Sequence, residues 1–205
     1  LSYWKPGLDG GNFAASFIEK NKIMQTQAIA SQWAIDLAHS EINFKVKHLM
    51  IATVTGKFTD FTATVESEND DFQDAYITFD AKTASVTTGN EHRDEHLRSV
   101  DFFDAEQFPS MRFESTAFKQ VSGAEYVLNG NLTIRGVTHP VQLAVEYNGT
   151  HKDPWGNVKA GFELTGKINR TDFGLKWNAI TEAGGLTVSE EVKIEAFIEL
   201  LKQAA

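Results

Sequence analysis

The chain has 205 residues, a formal charge of −9, no cysteine and 15 phenylalanines. That length suits one domain able to bury a sizeable core. The charge excludes a general nucleic-acid binder, which needs a basic surface, and disfavours attraction to anionic membranes; the missing cysteines exclude disulfides, thiolate metal sites and cysteine nucleophiles.

Residues 1–30 stand apart from the rest of the chain. Leu1 to Gly11 holds Pro6 and three glycines without alternation, and Asn12 to Ala30 reads as a loose helix. Neither part has the basic start, apolar centre and small-residue cleavage site of a signal peptide. We read 1–30 as a tail, in part an appended leader with Met24 as the native start; a lid or dimer arm is the alternative. Residues 31–205 form the barrel domain. The compartment is left open: cytoplasmic if Met24 is the start, periplasmic if a signal peptide has been removed.

From Trp33 the pattern changes to strict period-two alternation. Trp33 to Leu37 is a short strand. Ile42, Phe44, Val46 and His48 share one face, and Glu41, Asn43, Lys45 and Lys47 share the other, which is the signature of a half-buried strand. Val54, Gly56 and Phe58 keep one parity, whereas Phe61, Ala63 and Val65 keep the opposite one, so a bulge or sharp bend is predicted near Thr59 and Asp60. Glu66 to Asp71 is an acidic turn, and Ala75, Ile77, Phe79 and Ala81 alternate again. Thr87 to Ser99 is polar, starts on capping residues and places acids before bases, which predicts a short surface helix over about 87–99. Further strands run through Met111, Phe113, Ser115 and Ala117; through Tyr126, Leu128, Leu132 and Ile134; and through Val141, Leu143, Val145 and Tyr147. After the turn at Asp153 to Asn157, Ala160, Phe162, Leu164 and Ile168 alternate, then Phe173, Leu175 and Trp177, then Val192, Ile194, Ala196 and Ile198. About eight or nine strands with hairpin turns and one helix predict an all-β, antiparallel up-and-down barrel, which hides oily faces without leaving edges.

Taken alone, the inward aromatics Phe44, Phe58, Phe61, Phe79, Phe113, Phe162 and Trp177 are as consistent with a solid core as with a cavity, since about eight strands enclose room for either. His48 is either a satisfied core histidine or a polar contact inside an apolar lumen. His92-Arg93-Asp94-Glu95-His96 matches H-x-x-E-H, a zinc-peptidase pattern, but that chemistry needs a larger helical scaffold and a further ligand; a solvated charged helix is the plainer reading. There is no G-x-S-x-G elbow and no phosphate-cradling glycine loop.

Several stretches, in order, resemble one family. They are His39-Ser40-Glu41-Ile42-Asn43-Phe44 with Val46-Lys47-His48-Leu49; Gly56-Lys57-Phe58; Arg93-Asp94 and His96-Leu97-Arg98-Ser99; Asp101-Phe102-Phe103-Asp104; Phe108-Pro109-Ser110-Met111-Arg112-Phe113-Glu114-Ser115; Gly130-Asn131-Leu132-Thr133-Ile134-Arg135-Gly136-Val137-Thr138; and Arg170-Thr171-Asp172-Phe173-Gly174-Leu175. The chain resembles the YceI-like proteins, a lipocalin-like bacterial family associated with polyisoprenoid binding, from about Trp33 to Leu201. The resemblance implies a lipocalin-like barrel with an apolar tunnel holding a long isoprenoid or similar amphiphile (quinone-like, or a fatty amide or acid), and a homodimer. We expect a non-enzymatic carrier without a cofactor; the acidic charge gives no nucleic-acid partner, and no apolar run approaches the length of a transmembrane helix. With the resemblance, the expected ligand contacts are Phe44, Val46, His48, Phe58, Phe61, Phe79, Phe103, Phe113, Leu132, Ile134, Phe162, Leu164 and Trp177, with Arg93, Arg135 and Arg170 as donors to a polar head. For these arginines the alternative is salt bridging to acids such as Asp94, Asp101, Asp104 and Asp172. Two other functions stay open: a metal-dependent hydrolase using His92, Glu95 and His96, and a ligand-free structural dimer.

Overall fold

A computed structural model describes residues 31–67, 69, 71–179 and 186–203; the expectations for residues 1–30 lie outside the described residues. The alternating stretches become strands, each with its apolar parity turned inward. In chain order these are β1 Ser31–Ile35, β2 Glu41–His48, β3 Ala52–Phe58, β4 Phe61–Ser67, β5 Tyr76–Lys82, β6 Val86–Thr87, β7 Ser110–Ser122, β8 Glu125–Ile134, β9 Val137–Lys152, β10 Val158–Asn169 and β11 Val188–Lys202. A 3-10 turn, Thr83–Ser85, separates β5 from β6, and among the described residues one α-helix, α1, spans Glu91–Arg98.

All pairings are antiparallel, and the sheet closes because β1 meets both β4 and β11. Among the described residues the strand segments make a closed barrel of eight staves. Three staves are broken in two. Strands β1 and β2 lie end to end along β11, with Trp33 opposite Lys202 and Ile42 opposite Ala196. Strands β3 and β4 form the next stave, broken at Thr59 and Asp60, where the opposite parities of Phe58 and Phe61 require a bend; both rings are buried. Strands β5 and β6 form the third, interrupted by the 3-10 turn. Those breaks are why segments outnumber staves and why the sequence count falls between.

Two predicted elements are shifted. Thr87 stays in the sheet opposite Lys57, so the helix starts later than its polar composition suggests. Asn90 is its N-cap, its side chain accepting from Arg93 N at 3.0 Å, which satisfies one of the orphan amides of a helix start. Phe173, Leu175 and Trp177 alternate but do not pair; Phe173 lies in a turn over 170–174, and Leu175 and Trp177, which follow it, are tied back by Arg170 rather than by a neighbouring strand.

Up-and-down order sorts the connections onto two ends. The turn after β2, the α1 segment, the Arg135–Gly136 turn and the connection after β10 share one end, the mouth. The connections after β4, β7 and β9 share the other, the base. Arg135 and Gly136 have φ of 51° and 71°, the twist that a two-residue hairpin needs and that glycine supplies freely.

Candidate functional site

The base is sealed by aromatic rings. Phe72, 2% exposed, sits at the centre of the plug, 5.0 Å from Trp33 and 5.1 Å from Phe162 between ring centroids. Tyr147 stacks on Phe162 at 5.0 Å, and Phe118 on Tyr126 at 4.9 Å. Offset and edge-on contacts of this kind pack a barrel end tightly. Phe72 lies in the acidic connection after β4, with φ of 59°, so strand periodicity gives no hint of it.

Above the plug the barrel is hollow. A cavity of about 450 Å³ runs along the axis, within the range of ligand sites. Its wall is almost wholly aliphatic and aromatic. Of the residues expected to contact a ligand, Phe44, Val46, His48, Phe58, Phe79, Phe103, Phe113, Leu132, Ile134, Phe162, Leu164, Trp177, Arg93 and Arg170 line it. Phe61 does not; it is buried, its ring 6.1 Å from that of Phe79. Arg135 does not either. Its Nη1 donates to the Val100 and Phe102 carbonyls at 3.1 and 2.9 Å, pinning the loop after α1 from outside. Further lining comes from residues of the same parity, such as Ile42, Leu143, Val145 and Ala196, and from Phe102 and His96, which no alternation marks.

The polar groups of the lumen gather at the mouth. Arg170 is 4% exposed. Its Nε donates to Ser189 O at 2.9 Å, Nη1 to the carbonyls of Leu175 and Trp177, and Nη2 to Val188 O at 3.3 Å. Burial holds its pKa below the ordinary value, opposed by the charge of Glu190. Arg93 donates through Nε to Thr88 Oγ1 at 2.7 Å. These arginines are held mainly by carbonyls and a hydroxyl rather than by the acids offered as the alternative partners, although Arg135 also stands 3.8 Å from Asp104. His96 hydrogen-bonds Asp101 at 2.9 Å, and its ring meets Trp177 at 4.7 Å and Phe102 at 5.1 Å.

Helix α1 covers part of the mouth, and Asp94 fixes it there. This buried carboxylate accepts from Thr87 Oγ1 at 2.9 Å, Thr88 N at 2.8 Å and Thr88 Oγ1 at 2.5 Å. Burial opposes its charge, yet the bonds from Thr88 and Thr87 outweigh burial and lower its pKa. His92, Glu95 and His96 do not gather around a common point. Among the described residues the one set of three donors within 4.8 Å of one another is Asp36, His39 and Glu199. There the Lys159 ammonium already serves as the cation, 3.0 Å from Asp36 and 2.6 Å from Glu199.

A hollow antiparallel barrel, plugged at its base and lined by hydrocarbon, defines a lipocalin-like protein built around an apolar lumen. Residues 33–200 match the YceI-like domain model, and the chain belongs to that family. A UPF0312 protein of Staphylococcus aureus strain N315 is 38% identical over 170 residues, covering 82% of this chain and 96% of that one. The crystal structure of a Campylobacter jejuni YceI protein is 32% identical, with a TM-score of 0.66 over 77% of this chain and 90% of that one. BcnA of Burkholderia cenocepacia shares the fold at 24% identity, with a TM-score of 0.69 over 80% and 98% of the two chains. A polyisoprenoid-binding domain from Saccharophagus degradans shares it at 15% identity, with a TM-score of 0.58 over 83% and 98%.

Proposed function

We propose that this protein holds a long-chain apolar amphiphile inside the barrel and acts as its carrier or sequestering protein. The observation that carries the reading is the 450 Å³ lumen walled by hydrocarbon. A chain moved from water into such a lumen gains about 0.8 kcal/mol per buried methylene. Ordering a flexible tail opposes part of that gain, so affinity grows with chain length more slowly than area alone implies. The tail runs toward the Phe72 plug. The polar head stays at the mouth beside Arg93, His96 and Arg170, where the buried guanidinium of Arg170 favours an electron-rich or anionic group. The polyisoprenoid named for the Saccharophagus degradans domain fits these demands, as does a quinone-like or fatty head.

Organic extraction and mass spectrometry of purified protein test this. The expected result is a stoichiometric long-chain lipid, depleted in His48→Phe with the fold intact. Protein that carries no lipid and takes up none on incubation with dispersed polyprenol would overturn the reading. The hydrolase alternative loses its motivation, because His92, Glu95 and His96 do not converge.

A further inference from the structure

The turn between β2 and β3 carries Leu49, Met50 and Ile51, exposed to 40%, 66% and 84%. Three consecutive large apolar side chains in water are a design fault unless something receives them. Their backbone makes the choice more pointed. Ile51 N donates to His48 O at 3.1 Å, closing a tight turn over Leu49 and Met50 within the three-residue connection between His48 and its strand partner Ala52. Leu49 and Met50 both have positive φ, 49° and 59°, a conformation in which asparagine and glycine are preferred and leucine and methionine are strained. The turn therefore forgoes residues that suit its geometry and presents apolar ones.

The tip is continuous with the lumen. His48 and Val54, on either side of it, line the cavity, as do Thr187 and Val188. Leu49 N donates to Thr187 O at 2.9 Å, which ties the turn to the rim. We infer that this turn is a membrane-docking element, inserting its side chains into the headgroup and acyl boundary of a lipid bilayer beside the open mouth.

Two observations select a bilayer over a second copy of the chain. The tip is convex and small; a few side chains on one turn do not furnish the roughly 1,000 Å² that a stable protein interface buries, whereas a fluid interface accepts an isolated apolar protrusion. The surrounding charge also fits. The chain is acidic overall, which disfavours general adhesion, but from Ile42 to Thr59 it has Lys45, Lys47 and Lys57 and no acid. Lys45 and Lys57 pair with Glu195 and Glu41, while Lys47, nearest the tip, donates to Thr53 Oγ1. The hairpin's one carboxylate, Glu41, stands at the far end of β2 from the tip and is paired with Lys57, so an anionic headgroup meets none near the turn. That docking serves cargo exchange rests on the lipid-holding reading above; the docking does not.

The test is flotation of the full chain with vesicles of equimolar phosphatidylcholine and phosphatidylglycerol. It compares the wild type with L49N/M50G/I51T, which strips the apolar tip while giving the turn the residues its geometry favours. The expected result is vesicle binding by the wild type, weakened about tenfold in the variant, with an undiminished denaturation midpoint and equal uptake of a fluorescent fatty probe dispersed in solution. Wild type that fails to float, or a variant that floats equally, overturns the proposal. So does a variant that turns a dimer into a monomer while floating as before, which assigns the tip to a second copy. If neither protein takes up the probe but flotation differs, docking stands and the carrier reading falls.

Discussion

Arg170 shows how one side chain organises the mouth. The segment 173–179 has no strand partner, and its Leu175 and Trp177 carbonyls find their donors on the Arg170 guanidinium. Replacing Arg170 with methionine removes the donor to those acceptors and to the Ser189 carbonyl, while Val188 O keeps its bond from Asn178 Nδ2 at 2.7 Å. Each unmet buried group costs about 1–3 kcal/mol, so urea denaturation should show a loss of several kcal/mol. Arg170→Lys should recover little, because an ammonium cannot copy the planar fork. Asp94 allows a pH argument. Its folded pKa lies below the usual 3.8, so its contribution is complete above that value and is lost as pH falls through the folded pKa. Asp36, beside Lys159 and His39, behaves likewise: burial opposes its charge, but those bonds bring its pKa to about 2. Stability measured against pH should be flat from neutrality to about pH 4 with respect to these two groups, then decline toward pH 2. In Asp94→Asn the acid decline should be shallower, and α1 less protected from hydrogen exchange at neutral pH; an unchanged exchange pattern would count against the anchoring role.

At the level of elements, close approach between strands is bought at a few small residues. A Cβ at Gly130 on β8 would overlap the Phe113 ring of β7 and the Glu114 carbonyl. The ring has some freedom to move, the backbone oxygen far less. Gly130→Ala should therefore destabilise by about 1–3 kcal/mol through overpacking, read from chemical denaturation, and should shift the Phe113 resonances. The alternating strands and the Thr59–Asp60 bend were legible in the sequence because side-chain parity is a local property of an extended chain. The Leu49–Met50 turn was not, since neither residue advertises positive φ. Phe72 was hidden for the same reason: it reaches the lumen from a loop, where parity has no meaning. The α1 start was misplaced by composition, because Thr87 is polar yet held in the sheet by Lys57.

At the level of the whole molecule, the lumen is the property to perturb. Ala196 is 6% exposed and lines the cavity midway along β11. Ala196→Phe projects a ring into open space rather than into packed atoms, so the fold should survive while lipid content falls severalfold by mass spectrometry. A ligand that binds only the folded state raises stability by about 2.7 kcal/mol at a hundredfold excess over Kd. Delipidated wild type should therefore melt at lower temperature than lipid-loaded protein, and Ala196→Phe should lose most of that difference. A wild type whose melting is indifferent to delipidation would speak for a structural barrel.

The sequence by itself determined the class of architecture, the inward and outward face of nearly every strand and the family, because period-two alternation and ordered local motifs are written residue by residue. It could not say whether the inward faces meet. Parity points Phe61 and Phe58 alike toward the interior, and both are buried, yet Phe58 borders the cavity and Phe61 does not. It likewise named three arginines without saying that Arg93 and Arg170 face the lumen while Arg135 pins a loop from outside. Those outcomes depend on how eight staves curve and close, and on which loop rings fill the base. They are distances between residues far apart in the chain, fixed only when the barrel is complete.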